Sequence, residues 1–347
     1  MTDQSSPEST PTGHGTFRLG LESIRLGSPQ VHRTITAFPL FLSFEAGPDY
    51  LTLDQAMATG NFRVTEVSQS GSVPSLNLVN RCGRSVLVLD GEELLGTKQN
   101  RVVNLSLLVP DGFEGPIPVS CTEQGRWRPT SEQAHASDVL MELKARRSKA
   151  ESVSASLERS SSYDSDQMQV WGHIQKLQNK AAYLSATAAM HDVFVAREKE
   201  VAAALEAMPA LPGQHGVLVF VGGKPAGFDL VSRSEAYAFL HAKIVRSYAL
   251  DAVLEAPRES AAASLEEGHH FFRVAAACPG QSHRSVGLGE TVRFRGSGVA
   301  GAALVETGFL IHAAFFGEGS ADETDLLDSM RKVAEEVPAV APPASDP

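Results

Sequence analysis

The sequence predicts an α+β fold: a mostly antiparallel β-sheet built from both ends of the chain, with a central helical layer packed on it. Three observations carry this. Residues 15–130 hold short apolar runs of strand length whose connections are too short for helical crossovers. Residues 131–210 have little glycine, no proline before Pro209, and much Ala, Glu, Lys and Gln, the composition of helices. Residues 211–333 return to short apolar runs broken by glycine. Neither β-rich end closes a core alone, so the two are expected to meet in a single domain over 15–333. Polar and Ser/Thr/Pro-rich residues 1–14 read as a disordered tail and 334–347 as a flexible one.

In chain order, TFRLGLESIRL from Thr16 alternates as a half-buried strand does. ITAFPLFLSF is a denser, more buried strand, with Pro39 marking an edge or a break. Leu51 to Ala58 reads as a short helix, and NFRVTEVSQ as an alternating strand. LNLVNRC and SVLVLDG read as a pair of strands joined around Gly83. RVVNLSLLVP is a strand ended by the turn Pro110-Asp111-Gly112, and IPVSCTEQ is the next. Val139, Leu140 and Leu143 mark one helix face. Val170, Ile174 and Leu177 mark a second helix, capped by Asp164 or Ser165. Met190, Val193, Phe194, Val201, Leu205 and Met208 mark a third. GVLVFVGGKPAGFDLV reads as a hairpin around Gly222 and Gly223. Ser232 and Glu235 form a capping-box pattern before a helix carrying Leu240, Ile244 and Tyr248. HHFFRVAAAC, TVRFRG, VAGAALVE and GFLIHAAFF read as four strands, the last two joined by a tight turn at Thr307-Gly308.

The formal net charge of −11 argues against nucleic acid as a partner. No apolar run is long enough to cross a membrane, and the polar start lacks a signal-peptide core, so a soluble cytoplasmic protein without a membrane partner is expected. Cys82, Cys121 and Cys278 form no CxxC pair and read as reduced thiols. No metal site is expected from the scattered histidines, and His312 reads as a satisfied core residue. A P-loop is excluded by the lack of its signature. Arg146, Arg147 and Lys149 read as the solvated face of a helix.

Chemistry-bearing side chains crowd into two blocks. In DGEELLGTKQNR, Asp90, Glu92 and Glu93 follow an apolar strand between Gly91 and Gly96, and Lys98, Gln99, Asn100 and Arg101 follow. Glu92 and Glu93 are candidate catalytic carboxylates, and the next four are candidate ligand-binding groups. On an extended chain Lys98 and Asn100 would share one face, Gln99 and Arg101 the other. The bland alternative is a solvated turn with Glu92 paired to Lys98. In CTEQGRW, Glu123, Gln124, Arg126 and Trp127 are candidate binding groups: a guanidinium for a phosphate or carboxylate, an indole for stacking. Cys121 reads as a small buried hydrophobe.

GEELLGTKQNRVVNLSLLVP together with IPVSCTEQGRW resembles a bacterial family, the ARG and rhodanese-phosphatase-superfamily-associated protein domain, where ARG stands for ADP-ribosylglycohydrolase. The resemblance runs over roughly residues 15–325. It takes in QVW at Trp171, the GVLVFVGGKPAGFD hairpin and the SVGLGETVRF and GFLIHAAFF segments. It implies a small-molecule ligand of the ADP-ribose or NAD type, and a functional association with ADP-ribosylglycohydrolase-type enzymes; it implies no particular cofactor. Under that resemblance Glu92 or Glu93 is a general base or holds a metal-bound water. Arg101 and Arg126 neutralise a diphosphate, assisted by Lys98. Gln99, Asn100 and Gln124 fix ribose hydroxyls, and Trp127 stacks. Two alternatives remain open: a non-catalytic nucleotide sensor, and a structural protein in which the blocks only join sheets.

Overall fold

A computed structural model describes residues 13–43, 47–255, 261–296 and 298–317. The protein is α+β, and among the described residues its strands form sheets of nine, six and three members. Both ends of the chain meet in the nine-stranded sheet. Ile35–Leu42 pairs antiparallel with Gly216–Val221, placing Phe38 opposite Leu218. The sheet continues through Lys224–Val231, Phe309–Gly317, Val299–Glu306, Glu290–Gly296 and Gly280–Arg284.

Both faces of this sheet are covered, which is why GVLVFV is apolar throughout rather than alternating. On one face Phe38, Phe220, Phe228 and Phe315 pack with the helices Gly13–Glu22 and Leu265–Ala277. On the other, Ala37, Val219, Ile311 and Phe316 pack against the helix Ser234–Leu254 and the rest of the helical layer. Pro39 sits in mid-strand, but its carbonyl points to the outer side, accepting from Gly27 N at 2.8 Å. There the short strands Gln30–His32 and Ile24–Leu26 leave a gap between their pairings, so the missing N–H is not needed.

The six-stranded sheet runs His135–Leu140, Glu92–Leu95, Arg101–Val103, Glu114–Cys121, Ser75–Asn80, Phe62–Glu66. The three-stranded sheet holds Leu107–Val109, Ser85–Val88 and Tyr50–Thr52, the last pair parallel. RVVNLSLLVP is therefore two strands in two sheets. Asn104 marks the crossing, bonded to Tyr163 O and Ser120 Oγ. LNLVNRC and SVLVLDG also part: Gly83, at φ 71°, turns the chain from one sheet into another instead of closing a hairpin. By contrast Thr307 and Gly308, both at positive φ, do close the final hairpin.

Several expected elements change type. TFRLGLE belongs to the helix Gly13–Glu22, in which Phe17 and Leu21, one turn apart, are buried. HHFFRVAAAC belongs to the helix Leu265–Ala277, opened by a capping box between Ser264 and Glu267. The short apolar run resembled a strand only without that cap signal. No such box forms at Ser232 and Glu235: Ser232 Oγ instead meets the Tyr50 hydroxyl at 2.9 Å, and the helix starts uncapped after Arg233. Val139 and Leu140 end a strand, and the helix Leu143–Ser160 begins after them, capped by Glu142. Asp166, rather than Asp164 or Ser165, caps Gln167–Lys180. The third expected helix breaks at Arg197 into His191–Ala196 and Glu198–Ala207.

The expected solvated face of Arg146, Arg147 and Lys149 is instead an inward one. Arg146 is fully buried and makes two hydrogen bonds to Asp229; Lys149, also buried, pairs with Asp90. Only Arg147 stays partly open, bonded to Glu151 and Gly317 O. Cations can face the core here because strand ends from two sheets bring carboxylates to meet them. His312 is buried as expected, its Nδ1 2.8 Å from Ser106 Oγ. The expected tails lie outside the described residues, except Gly13 and His14, which open the first helix. No described helix is long and apolar enough to cross a membrane.

Candidate functional site

The strand Arg101–Val103 pairs with the end of Glu114–Cys121 so that Arg101 stands opposite Cys121. This pairing brings the two polar blocks side by side. Residues 97–100 precede the strand as a turn, so face alternation does not apply to them. Asn100 N donates to Glu123 Oε2 at 3.0 Å, tying that turn to the CTEQGRW loop.

Arg126 organises the junction. Its Nε donates to Glu123 Oε1 (2.8 Å), and its Nη2 to Glu123 Oε2 (2.5 Å) and Asn100 Oδ1 (2.9 Å). Its Nη1 donates to Thr97 O (2.6 Å) and Arg128 O (2.7 Å). A guanidinium has five N–H donors, and all five are engaged within the protein. Burial alone would push the Glu123 carboxyl up. Hydrogen bonds from Arg126, Thr187 and the Asn100 amide outweigh it and hold the group below its usual range.

Gly125 passes close to the segment before the helix His191–Ala196. Its N–H donates to Thr187 O at 2.8 Å, and a Cβ there would lie 2.9 Å from Thr187 Cα. From the other side Gln167 clamps Cys121, accepting from its N–H at 2.8 Å and donating to its carbonyl at 2.9 Å. That clamp fixes the start of the helix Gln167–Lys180, and Trp171 follows one turn later.

These pieces border a shallow, open pocket of about 460 Å³ lined by Val73, Gln99, Gln124, Gly125, Arg126, Trp127 and Trp171. Trp127 is half-exposed. Lys98 Nζ lies 5.4 Å and the Arg101 guanidinium 5.7 Å from its ring centre, within cation–π range. Arg101 is fully buried, and its Nε donates to Val73 O at 3.2 Å. Its Nη1 and the Gln99 Oε1 are buried without a hydrogen-bond partner. Burial lowers the affinity of Arg101 for its proton, against the opposing pull of Cys121 and Glu66. Burial raises the Cys121 thiol, which makes it a packed group rather than a nucleophile.

The two candidate carboxylates are held elsewhere. Glu92 is fully buried, accepting from Lys243 Nζ at 3.1 Å and Leu89 N at 2.8 Å. Burial raises its carboxyl, with Lys243 opposing. Glu92 thus pairs with Lys243 and not with Lys98, which bonds Gln69 O and, through its amide, Glu66. Glu93 is also fully buried: Oε1 accepts from Thr122 Oγ1 at 3.0 Å, and Oε2 lies 3.2 Å from His191 Nδ1. The Glu93 hydrogen bond raises the His191 pKa against its partial burial. The pocket thus gathers Gln99, Gln124, Arg126 and Trp127, with Lys98 and Arg101 against the Trp127 ring and Asn100 and Glu123 behind Arg126. Glu92 and Glu93 do not line it.

Sequence reasoning missed Trp171, His191 and Lys243 as members of this region. Trp171 carried no clear signal: it is half-buried beside Val170, Ile174 and Leu177 and packs against the same core, as an ordinary helix-face Trp does. His191 and Lys243 carried none, because their partners Glu93 and Glu92 lie 98 and 151 residues away. Among the described residues no group of three or more His, Cys, Asp or Glu is placed to hold a metal ion.

A family model, the ARG and Rhodanese-Phosphatase-superfamily-associated Protein domain, matches residues 23–316. The chain belongs to this family. The matched stretch of the ARG and Rhodanese-Phosphatase-superfamily-associated Protein domain includes both polar blocks, Trp171 and His191. No curated protein and no solved structure matches the chain.

Proposed function

We propose that the chain is a binding module for a nucleotide of the ADP-ribose or NAD type, taken in the pocket between Trp127 and Trp171. One observation carries this: two indoles, Trp127 and Trp171, line one pocket together with the amides of Gln99 and Gln124. A pocket that combines aromatic side chains with a few placed polar groups is a ligand site by its chemistry. The family's association with ADP-ribosylglycohydrolase-type proteins supports the ligand class and a role beside such enzymes. In this reading the indoles supply stacking surface, Gln99 and Gln124 bond polar edges, and Arg101 and Lys98 supply positive potential. Arg126, Glu123 and Asn100 hold the loop in place. Glu92 and Glu93 serve as buried ion partners.

A catalytic reading has one observation in its favour: the buried Glu93 orients His191, whose side chain is 22% exposed, as an acid–base pair would be arranged. Thermal shift with NAD, ADP-ribose, ADP-ribose phosphate and simple sugars, each with and without Mg²⁺, tests the proposal. A nucleotide at 100 times its dissociation constant stabilises by about 2.7 kcal/mol. A panel with no nucleotide shift rejects both readings. Glu92→Gln and Glu93→Gln then separate them: a binding module keeps its ligand, and an enzyme loses turnover.

A further inference from the structure

We infer that a small cavity between the first polar block and the terminal sheet binds one water molecule, held by Asp90 and Thr291. This site is separate from the Trp127–Trp171 pocket and does not depend on the nucleotide reading. The cavity measures about 10 Å³; Asp90, Ser106, Thr291 and His312 supply its polar lining, and alanines with Leu304 supply the rest. A bound water needs roughly 10–15 Å³ of free space and two to four polar partners. Asp90 and Thr291 are 3% and 2% exposed. Asp90 Oδ1 is taken by Lys149. Among the described residues its Oδ2 and the Thr291 hydroxyl have no hydrogen-bond partner, yet both keep accessible surface. For residues so deeply buried, that surface is the wall of the cavity they line. A carboxylate oxygen in such a place is costly to leave without a donor.

Charge and hydrogen counting name the occupant. His312 Nε2 faces the Asp229 carboxylate at 3.4 Å, so the ring hydrogen belongs on that side. Its Nδ1 then accepts from Ser106 Oγ at 2.8 Å, while Ser106 Oγ accepts from Asp90 N at 2.9 Å. Neither side chain has a hydrogen left for Asp90 Oδ2. The charged groups around Asp90 are Lys149, Arg146 and Arg293, three cations against the carboxylates of Asp90 and Asp229. A metal cation would be repelled there, and an anion would meet the Asp90 oxygen. A neutral donor remains, and the volume admits nothing larger than water. The same volume excludes a substrate from Ser106, although Ser106, His312 and Asp229 stand in the order of a nucleophile, a base and its orienting acid. The water donates to Asp90 Oδ2 and accepts from the Thr291 hydroxyl. It thereby joins the turn that opens the GEELLG block to the strand Glu290–Gly296.

Crystals of the full chain, grown in sodium chloride and in rubidium bromide at a resolution that shows ordered waters, test this. The expected result is a single peak within hydrogen-bond distance of Asp90 Oδ2 and Thr291 Oγ1, with no anomalous signal in rubidium bromide. No peak in the cavity overturns the inference, and so does an anomalous signal there, which would replace the water by an ion. In solution, the magnetic relaxation dispersion of water oxygen counts long-lived internal waters. Thr291→Val, which removes the hydroxyl at nearly constant volume, is expected to show one fewer than the parent. A folded Thr291→Val protein with the same count overturns the inference. Should that variant melt early, the crystals of the parent decide alone.

Discussion

Arg126 and Glu123, three residues apart, form a two-pronged ion pair, Nε to Oε1 at 2.8 Å and Nη2 to Oε2 at 2.5 Å, with 10% and 6% of their side chains exposed. The pair folds the CTEQGRW loop back onto the turn before Arg101. Glu123→Gln leaves the guanidinium without its counter-charge in a nearly dry place, and a loss of about 3 kcal/mol of unfolding free energy is expected in urea. Glu123 is held below its usual range, so its contribution is complete above the ordinary carboxylate value of 4.5. It is lost as pH falls through the depressed native value. Glu123→Gln is expected to remove that acid-side loss, measured as a flatter melting temperature between pH 5 and 3 than the parent shows (about the range in which an ordinary carboxyl titrates).

Arg146 and Asp229 should prove the most sensitive ion pair, because neither side chain is exposed at all. Tyr248 also donates to Asp229 at 2.8 Å, and His312 Nε2 lies 3.4 Å from it. Arg146→Met leaves a buried carboxylate short of its charge partner, and an expected loss of about 3–5 kcal/mol should appear in urea melts. The double variant Arg146→Met with Asp229→Leu is expected to recover part of that loss. A double variant no more stable than the single one would contradict this account.

The Glu93–His191 contact makes stability depend on pH near neutrality. The native His191 pKa is raised above 6.5, mainly by the Glu93 hydrogen bond; Asp138 and Asp192 add to it, and Arg246, which pairs with Asp138, stands nearby. The sign follows. The contribution is complete below the unfolded value and disappears as pH rises through the raised native value. Melting temperature is therefore expected to fall as pH rises above about 6.5 in the parent, and to fall less in His191→Gln.

Gly125→Ala tests how closely the loop must approach its neighbour. The added Cβ would lie 2.9 Å from Thr187 Cα and 3.0 Å from Thr187 O, both backbone atoms. One of the two segments must shift, at an expected cost of about 1–3 kcal/mol. Because Gly125 lines the pocket, ligand affinity should fall as well, which calorimetry would read.

Trp127→Ala should behave in the opposite way. The indole is half-exposed, so stability should change by less than about 1 kcal/mol while nucleotide affinity falls by about tenfold or more. A variant that binds as the parent does would remove Trp127 from the site.

The residues by themselves determined the α+β class, the meeting of the two ends in one sheet, and the adjacency of the two polar blocks. Dense runs such as ITAFPLFL and GVLVFV announced buried strands, and the pairing of two strands close in sequence sufficed to join Arg101 to Cys121. Local signals failed where two states share a short pattern: HHFFRVAAAC is apolar enough for a strand, and only the Ser264–Glu267 cap marks it as a helix. Tertiary structure alone decided what each charge meets. Arg146 and Lys149 look like a solvated face until strand ends from two sheets bring Asp229 and Asp90 to them. Glu92 looks like a partner for Lys98 until Lys243 arrives from a distant helix, and Glu93 has no visible partner until His191 does. Arg126 looks like an anion clamp until its own loop and the turn at Thr97 and Asn100 take all five of its donors. The physical reason is range. Hydrophobic periodicity is read over a few neighbouring residues, whereas a buried charge is settled by whichever opposite charge the fold carries to within about 3–4 Å.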